Sequence, residues 1–307
     1  MSVRLCRLFL SLSVRVLILT SAAMVAFASN SLLCRAALKH TSIDAASFTF
    51  IRIFSGAIVL CLVMNLRIIR TTRIVGLGGN WISALALLLY AAGFSFAYVA
   101  VAAGTGALVL FGAVQATMIL WGLHKGERLR AIQTLGLIVA MTGLVVLLFP
   151  GLSAPPLFGS ILMLGAGVAW GIYSLRGKSE KNPFTATAGN FVRAVPFAAA
   201  VSIIFLRWLD FDLAGVIYAI ISGAVTSGLG YVIWYSVLPS LKAASAATVQ
   251  LSVPVLAAAG GILLLGEPLT LRYVFASVAV LGGIALVVVE KNGAHPGPCN
   301  SRLDVGQ

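Results

Sequence analysis

Residues 243–290 read AASAATVQLSVPVLAAAGGILLLGEPLTLRYVFASVAVLGGIALVVVE, and this stretch decides the fold. An apolar run rich in small residues (Ala243, Ala244, Ser245, Ala246, Ala247) passes through Pro254 to Leu265. It turns at Gly266-Glu267-Pro268-Leu269, and a second apolar run continues to Val289. Each run approaches the roughly 20 residues that a helix needs to cross hydrocarbon, so the stretch predicts a membrane hairpin. The same design stands earlier, with Thr105 to Gly122, a turn at Gly126-Glu127-Arg128-Leu129, and Ile132 to Phe149. The two glutamates lie 140 positions apart, and at that offset Gly143 falls on Gly283 and Leu144 on Ile284. Phe50-Ile51-Arg52 recurs as Phe191-Val192-Arg193, an offset of 141. Two marks of different chemistry at nearly one spacing predict a duplicated half-chain.

Composition agrees with a membrane protein. The 307 residues are 60% hydrophobic and 9% charged, with mean hydropathy +1.06. Soluble domains run at about 25% charged. The net charge of +13 sits in short basic clusters between apolar runs, which is a topology signal and no nucleic-acid face. The four cysteines stand singly and the three histidines fall in loops or the tail. The spacing therefore predicts no disulfide framework, no metal site and no cofactor.

The spans are read at 16–34, 46–66, 80–101, 105–123, two within 131–175, then 183–206, 213–238, 243–265 and 272–289. The fifth and sixth are separated by Phe149-Pro150-Gly151 through Pro155-Pro156. The first imitates a signal peptide, with Arg4, Arg7 and Arg15 before an apolar run and Ala26-Phe27-Ala28 as a small-residue site. Residues 26–32 (AFASNSL) resemble residues 169–175 (AWGIYSL), which open the second half, so the segment is expected to stay as a span. The expected organisation is an amino-terminal cytoplasmic segment (1–15), a first five-helix repeat (16–149), an extracytoplasmic linker (150–156), a second repeat (157–290) and a disordered cytoplasmic tail (291–307).

With the amino terminus inside, inner segments hold 15 basic residues against 4 in outer segments, leaving Arg52 and Arg193 within spans. That bias predicts both termini in the cytoplasm. Because five spans per half is odd, the second half enters the membrane upside down. Inverted repeats suit transporters, since mirrored halves can exchange inward-open and outward-open shapes.

Ten spans in inverted halves, the Arg52 and Arg193 marks and the Gly-Glu turns resemble the drug/metabolite transporter superfamily, most closely its EamA-type branch. The strongest motif is SAATVQLSVPVLAAAGGILLLGEPLTL (245–271). In the first-half copy Val114 stands at the Pro254 position and Arg128 at the Pro268 position. The resemblance implies an all-α integral membrane protein of ten transmembrane helices. It also implies transport of amino acids or other small metabolites through a cavity between the halves.

Polar and aromatic groups within spans are the candidate cavity lining, because an amide in hydrocarbon must find a partner or water. Asn30 lies in the first span, and Trp170 and Tyr173 occupy the matching part of the sixth. Tyr90, Phe94 and Tyr98 share a helix face in the third, and Tyr231, Trp234 and Tyr235 do so in the eighth. Gln115 and Gln250 complete the set, against the plainer reading that aromatic stripes are packing.

Arg52 and Arg193 each sit near a span end and read as anchors that snorkel or hold helix-end carbonyls, with a direct transport role as the alternative. Glu127 and Glu267 read as caps of the helices they precede. Pro254 is expected to kink the ninth span and act as a gate. Gly167-x-x-x-Gly171 and Gly223-x-x-x-Ser227 read as helix contacts.

No span holds a histidine or a deep aspartate, which removes intramembrane hydrolysis. No ring of charges or filter repeat suggests a channel. The expected function is a secondary transporter in the cytoplasmic (inner) membrane, exporting amino acids or similar metabolites. A multidrug exporter of lipophilic cations is the runner-up, and a non-transporting scaffold is remote. The missing buried carboxylate favours facilitated export over proton coupling.

Overall fold

The computed structural model describes residues 2–71, 76–126, 128–149, 154–178, 180–240 and 249–292, with side chains from residue 14 onward except at 67–71, 178, 239 and 287–292. The tail beyond Asn292, Glu127 and most of the 150–156 linker lie outside the described residues. Among those described there is no strand, and ten apolar helices form one bundle. They are α1 (Ser2–His40), α2 (Ala45–Thr71), α3 (Trp81–Tyr98), α4 (Ala103–His124) and α5 (Ala131–Leu148). Then follow α6 (Leu157–Lys178), α7 (Pro183–Ile204), α8 (Leu213–Val237), α9 (Ser252–Leu265) and α10 (Leu271–Asn292). The first eight are long and apolar enough to cross a membrane, and α9 and α10 are shorter apolar helices.

Three elements differ from the sequence expectation. Helix α1 begins at Ser2, so most of the expected amino-terminal segment is continuous with the first span. No proline or glycine occurs before His40 to stop it. Helix α8 is not uniform, because residues Ser222–Leu229 widen into a π-helical segment. The ninth span, expected from 243, is described only from Val249, and its helix is interrupted at Leu251. Pro254 therefore sits in the first turn of α9, where a missing N–H leaves no ladder bond unmade. The break lies at Leu251, three residues before the expected kink.

The packing follows the duplication. Helices α2 and α7, α4 and α9, and α5 and α10 each pack on their own counterpart. The remaining contacts come in exchanged pairs: α3 on α6 matches α8 on α1, and α4 on α6 matches α9 on α1.

The turns sort to two ends. At one end Asp44 N donates to Asp210 O (3.4 Å), and Arg272 Nη1 donates to Phe149 O (2.6 Å). At the other, Gly78 N donates to Thr185 O (3.2 Å), and Arg176 Nη2 donates to Asn80 Oδ1 (3.0 Å). Successive helices thus run antiparallel, and with five per half the second half is inverted.

Large apolar side chains such as Leu263, Leu264, Phe158 and Ile204 stay exposed on the flanks, a surface fit for lipid. Trp81 and Trp208 are exposed at opposite ends, as interfacial aromatics are.

Helices α5 and α10 approach closely through glycine. A Cβ on Gly283 would meet Gly136 O and lie 2.6 Å from Ala140 N, both backbone atoms that cannot rotate away. Gly283→Val is expected to lower stability by about 1–3 kcal/mol, read as a lower melting temperature in detergent. Neither helix lines the cavity below, so transport per folded molecule should persist.

Candidate functional site

The π-helical segment of α8 turns Ser222, Thr226 and Ser227 inward toward α1 and α2, at a kind of distortion often found at functional sites. Ser222 Oγ and Thr226 Oγ1 donate to Asn30 Oδ1 at 2.7 and 3.2 Å. Asn30 Nδ2 reaches Tyr90 Oη at 3.5 Å. The buried amide of α1 is thereby joined to α3 and α8.

Arg52 of α2 is 2% exposed. Its Nη2 donates to Tyr90 Oη at 3.1 Å and its Nε to Ser227 Oγ at 3.4 Å. The guanidinium carbon stands 4.8 Å from the Phe94 ring centre and 5.3 Å from that of Tyr90, in reach of cation–π attraction. Its Nη1 is buried without a hydrogen-bond partner. The snorkelling anchor expected for Arg52 is therefore replaced by an inward-facing cation. Its position near the start of α2 does not free it, because α3 and α8 enclose it. Arg193 differs, its Nη1 donating to Gly78 O (2.6 Å) at the α2–α3 connection.

In front of this network lies a central cavity whose empty space, counted out through its open mouth, is about 420 Å³. Helices α1, α3 and α4 contribute Phe27, Asn30, Ser31, Tyr90, Phe94, Leu110 and Phe111. From the second half come Trp170, Thr226, Ser227, Tyr231 and Gln250. The Trp170 ring sits 4.7 Å from Tyr90 and 5.4 Å from Tyr231. Gln250 lies beside the interruption at Leu251.

Of the sequence candidates, Asn30, Tyr90, Phe94, Trp170, Tyr231 and Gln250 meet at this cavity. The other five do not line it. Tyr173 stacks behind Trp170 at 5.4 Å, and Trp234 faces Phe27 at 6.1 Å. Tyr235 lies beyond Tyr231 at 6.5 Å, Tyr98 donates to Ala103 O at 3.2 Å, and Gln115 opens on a separate α4–α5–α10 cleft. Helical spacing put each aromatic stripe on one face, but the stripe is longer than the cavity.

Glu267 was expected to cap the helix after it. Its Oε2 instead accepts from Ala103 N (2.8 Å), capping α4, while Oε1 pairs with Arg35 Nε (3.0 Å). Thr270 Oγ1 caps α10 in its place, accepting from Tyr273 N at 3.1 Å. The positive φ of Gly266 (61°) ends α9 and swings the carboxylate back over the bundle. Arg35 Nη1 also donates to Tyr98 O (2.8 Å) and Val99 O (2.9 Å). One ion pair thus closes α1, the α3–α4 turn and the α9–α10 turn together at one end.

Sequence reasoning missed Arg35, although a signal was present. Arg35 and Arg176 stand 141 apart, as do Tyr90 and Tyr231, the spacing that marked Arg52 and Arg193. Arg176 occupies the opposite end, where its Nε donates to Ser83 Oγ (3.0 Å). Ser222, Thr226 and Ser227 had no such mark, since nothing in the sequence shows a π-helical widening.

Residues 157–289 match the EamA-like transporter family. An uncharacterized transporter of Archaeoglobus fulgidus is 32% identical over 198 residues, which cover 62% of this chain and 70% of the relative. The chain belongs to the EamA-like transporter family. It is thus a multi-pass membrane transporter of the drug/metabolite superfamily and no enzyme. An uncharacterized protein of Pseudomonas aeruginosa is 56% identical over 279 residues, 91% of this EamA-like chain and 96% of the relative. A threonine/homoserine exporter of Salmonella typhimurium is 30% identical over 161 residues, 50% of this chain and 53% of that protein.

Chemically, the EamA-like cavity offers aromatic faces, hydroxyls and two amides, with no acidic side chain among the described residues of its wall. Among the described residues no cluster of three His, Cys, Asp or Glu could hold a metal. The arrangement can surround and orient a small solute.

Proposed function

We propose that this transporter exports amino acids or similar small metabolites across the cytoplasmic membrane by alternating access. Residues 16–149 and 157–290 act as the two rocking halves, and both termini lie in the cytoplasm. The observation that carries the reading is the central cavity at the junction of the halves, lined from both by aromatics and amides. A wall shared by two bodies changes when they rock, so one site can face each side in turn. The name of the Salmonella relative, a threonine/homoserine exporter, supports the substrate class. The acid-free wall favours it over lipophilic cations.

The test is export of labelled threonine, leucine and phenylalanine from loaded cells lacking the native gene and carrying the wild type or Trp170→Ala. Trp170 bridges Tyr90 and Tyr231, so its loss removes the aromatic wall spanning the halves. We expect wild-type export at least ten-fold above the empty strain, and Trp170→Ala near background with normal membrane levels. Export by Trp170→Ala equal to wild type would place the path elsewhere.

A further inference from the structure

We propose that the wall formed by Tyr90, Ser227 and Asn30, with Arg52 behind it, is a carboxylate-recognition subsite. The inference rests on the transport reading above and adds the group by which the substrate is held.

An arginine only donates. The Arg52 bonds therefore commit the oxygens of Tyr90 and Ser227 as acceptors. Each hydroxyl still has its own hydrogen, and no described residue accepts from either. Both residues line the cavity, so those hydrogens have the lumen to serve. Asn30 adds to the pattern, because its carbonyl oxygen is taken by Ser222 and Thr226 while its amide nitrogen donates. The inner wall is thus a set of donors around an open space.

Charge points the same way. Arg52 is enclosed, and the groups it touches are two hydroxyls and two aromatic rings, with no carboxylate among them. A fixed cation within the membrane is costly unless paired, and such residues mark substrate or ion paths. Its Nη1 carries hydrogens with no acceptor among the described residues. Among the residues with described side chains, Asp44, Glu180, Asp210, Asp212 and Glu267 all stand at helix ends or turns, so none of these supplies a counter-charge here. A carboxylate supplies it and brings acceptor sites for several donors at once. A lipophilic cation would meet the same donors and the same charge with nothing to offer them. The aromatic side of the cavity, Trp170 and Tyr231, is left for the remainder of the solute.

The test uses purified full-length protein in proteoliposomes loaded with labelled threonine, leucine or phenylalanine, or with labelled tetraphenylphosphonium. Unlabelled competitors are each amino acid, its amide and its decarboxylated amine. We expect the free acids to compete at concentrations at least ten-fold below their amides and amines. Tyr90→Phe and Ser227→Ala should each raise the half-competing acid concentration about ten-fold and leave the amide and amine values unchanged. Arg52→Lys should keep part of the acid preference, and Arg52→Gln should abolish it. Should the large Arg52 variants fail to insert, the two hydroxyl deletions still decide, since each removes one atom. Amides competing as well as acids, or Tyr90→Phe weakening acid and amide alike, would overturn the subsite while amino-acid efflux upheld the transport reading. Movement of tetraphenylphosphonium with no amino-acid efflux would overturn both.

Discussion

Replacing Arg35 with alanine is expected to lower stability by about 3–5 kcal/mol, the range for removing one partner of a buried ion pair. Only 6% of the Glu267 side chain is exposed, and its Oε1 has Arg35 as partner at 3.0 Å. Loss of the guanidinium strands that carboxylate and also releases the Tyr98 and Val99 carbonyls. The double variant Arg35→Ala, Glu267→Gln should recover most of the loss, because the neutral amide oxygen can still accept from Ala103 N. Thermal unfolding in detergent reads both. A single Arg35→Ala variant that melts with the wild type would show the pair to be solvated and unable to hold the end closed. A latch of this strength also biases transport: every 1.4 kcal/mol removed from one closed shape shifts its population about ten-fold.

Gly223→Ala should act on the site itself. A Cβ at this position would run into Arg52 O and Ser55 Oγ, and would stand 2.8 Å from the Arg52 carbonyl carbon. Backbone cannot swing aside, so the π-helical segment must lift from α2 and carry Ser227 off Arg52. The overpacking should lower stability by about 1–3 kcal/mol, and the displaced wall should reduce amino-acid efflux per folded molecule at least ten-fold. Gly165→Ala is the control, since nothing lies within 4 Å of a Cβ there. It should leave efflux intact. Efflux by Gly223→Ala at the wild-type level would mean that the close contact of α8 with α2 does not shape the cavity.

The sequence made the architecture legible because the strongest signals were local or strictly spaced. Apolar runs bounded by Gly-Glu turns located the hairpins, and the offset of 140–141 located the inverted halves. The site was legible in its materials, since six of the eleven cavity candidates do line it. What could not be read was how equivalent residues would be used. Arg52 and Arg193 carry the same sequence mark, yet one is enclosed by Tyr90, Phe94 and Ser227 and the other holds a loop carbonyl. That difference arises from neighbours on other helices, which no local pattern records. Glu267 shows the same limit: its position before α10 suggested a cap there, while the left-handed turn at Gly266 sends it to α4 and Arg35. The widening of α8 is a further case: it packs on α2 through Gly223, a contact between distant parts of the chain.

The measurement that bears on the whole account is thiol labelling of Ser31→Cys from each membrane face with an impermeant reagent. Cys6, Cys34, Cys61 and Cys299 are replaced by serine in that background. Ser31 lines the cavity, and Arg35 lies one helical turn away, toward the Glu267 end. The comparison is between an intact latch and the Arg35→Ala variant. Alternating access predicts a reciprocal change: opening the latch raises labelling from the Glu267 face and lowers it from the opposite face. A rise from the Glu267 face with no fall from the other would describe a continuous pore and contradict the account.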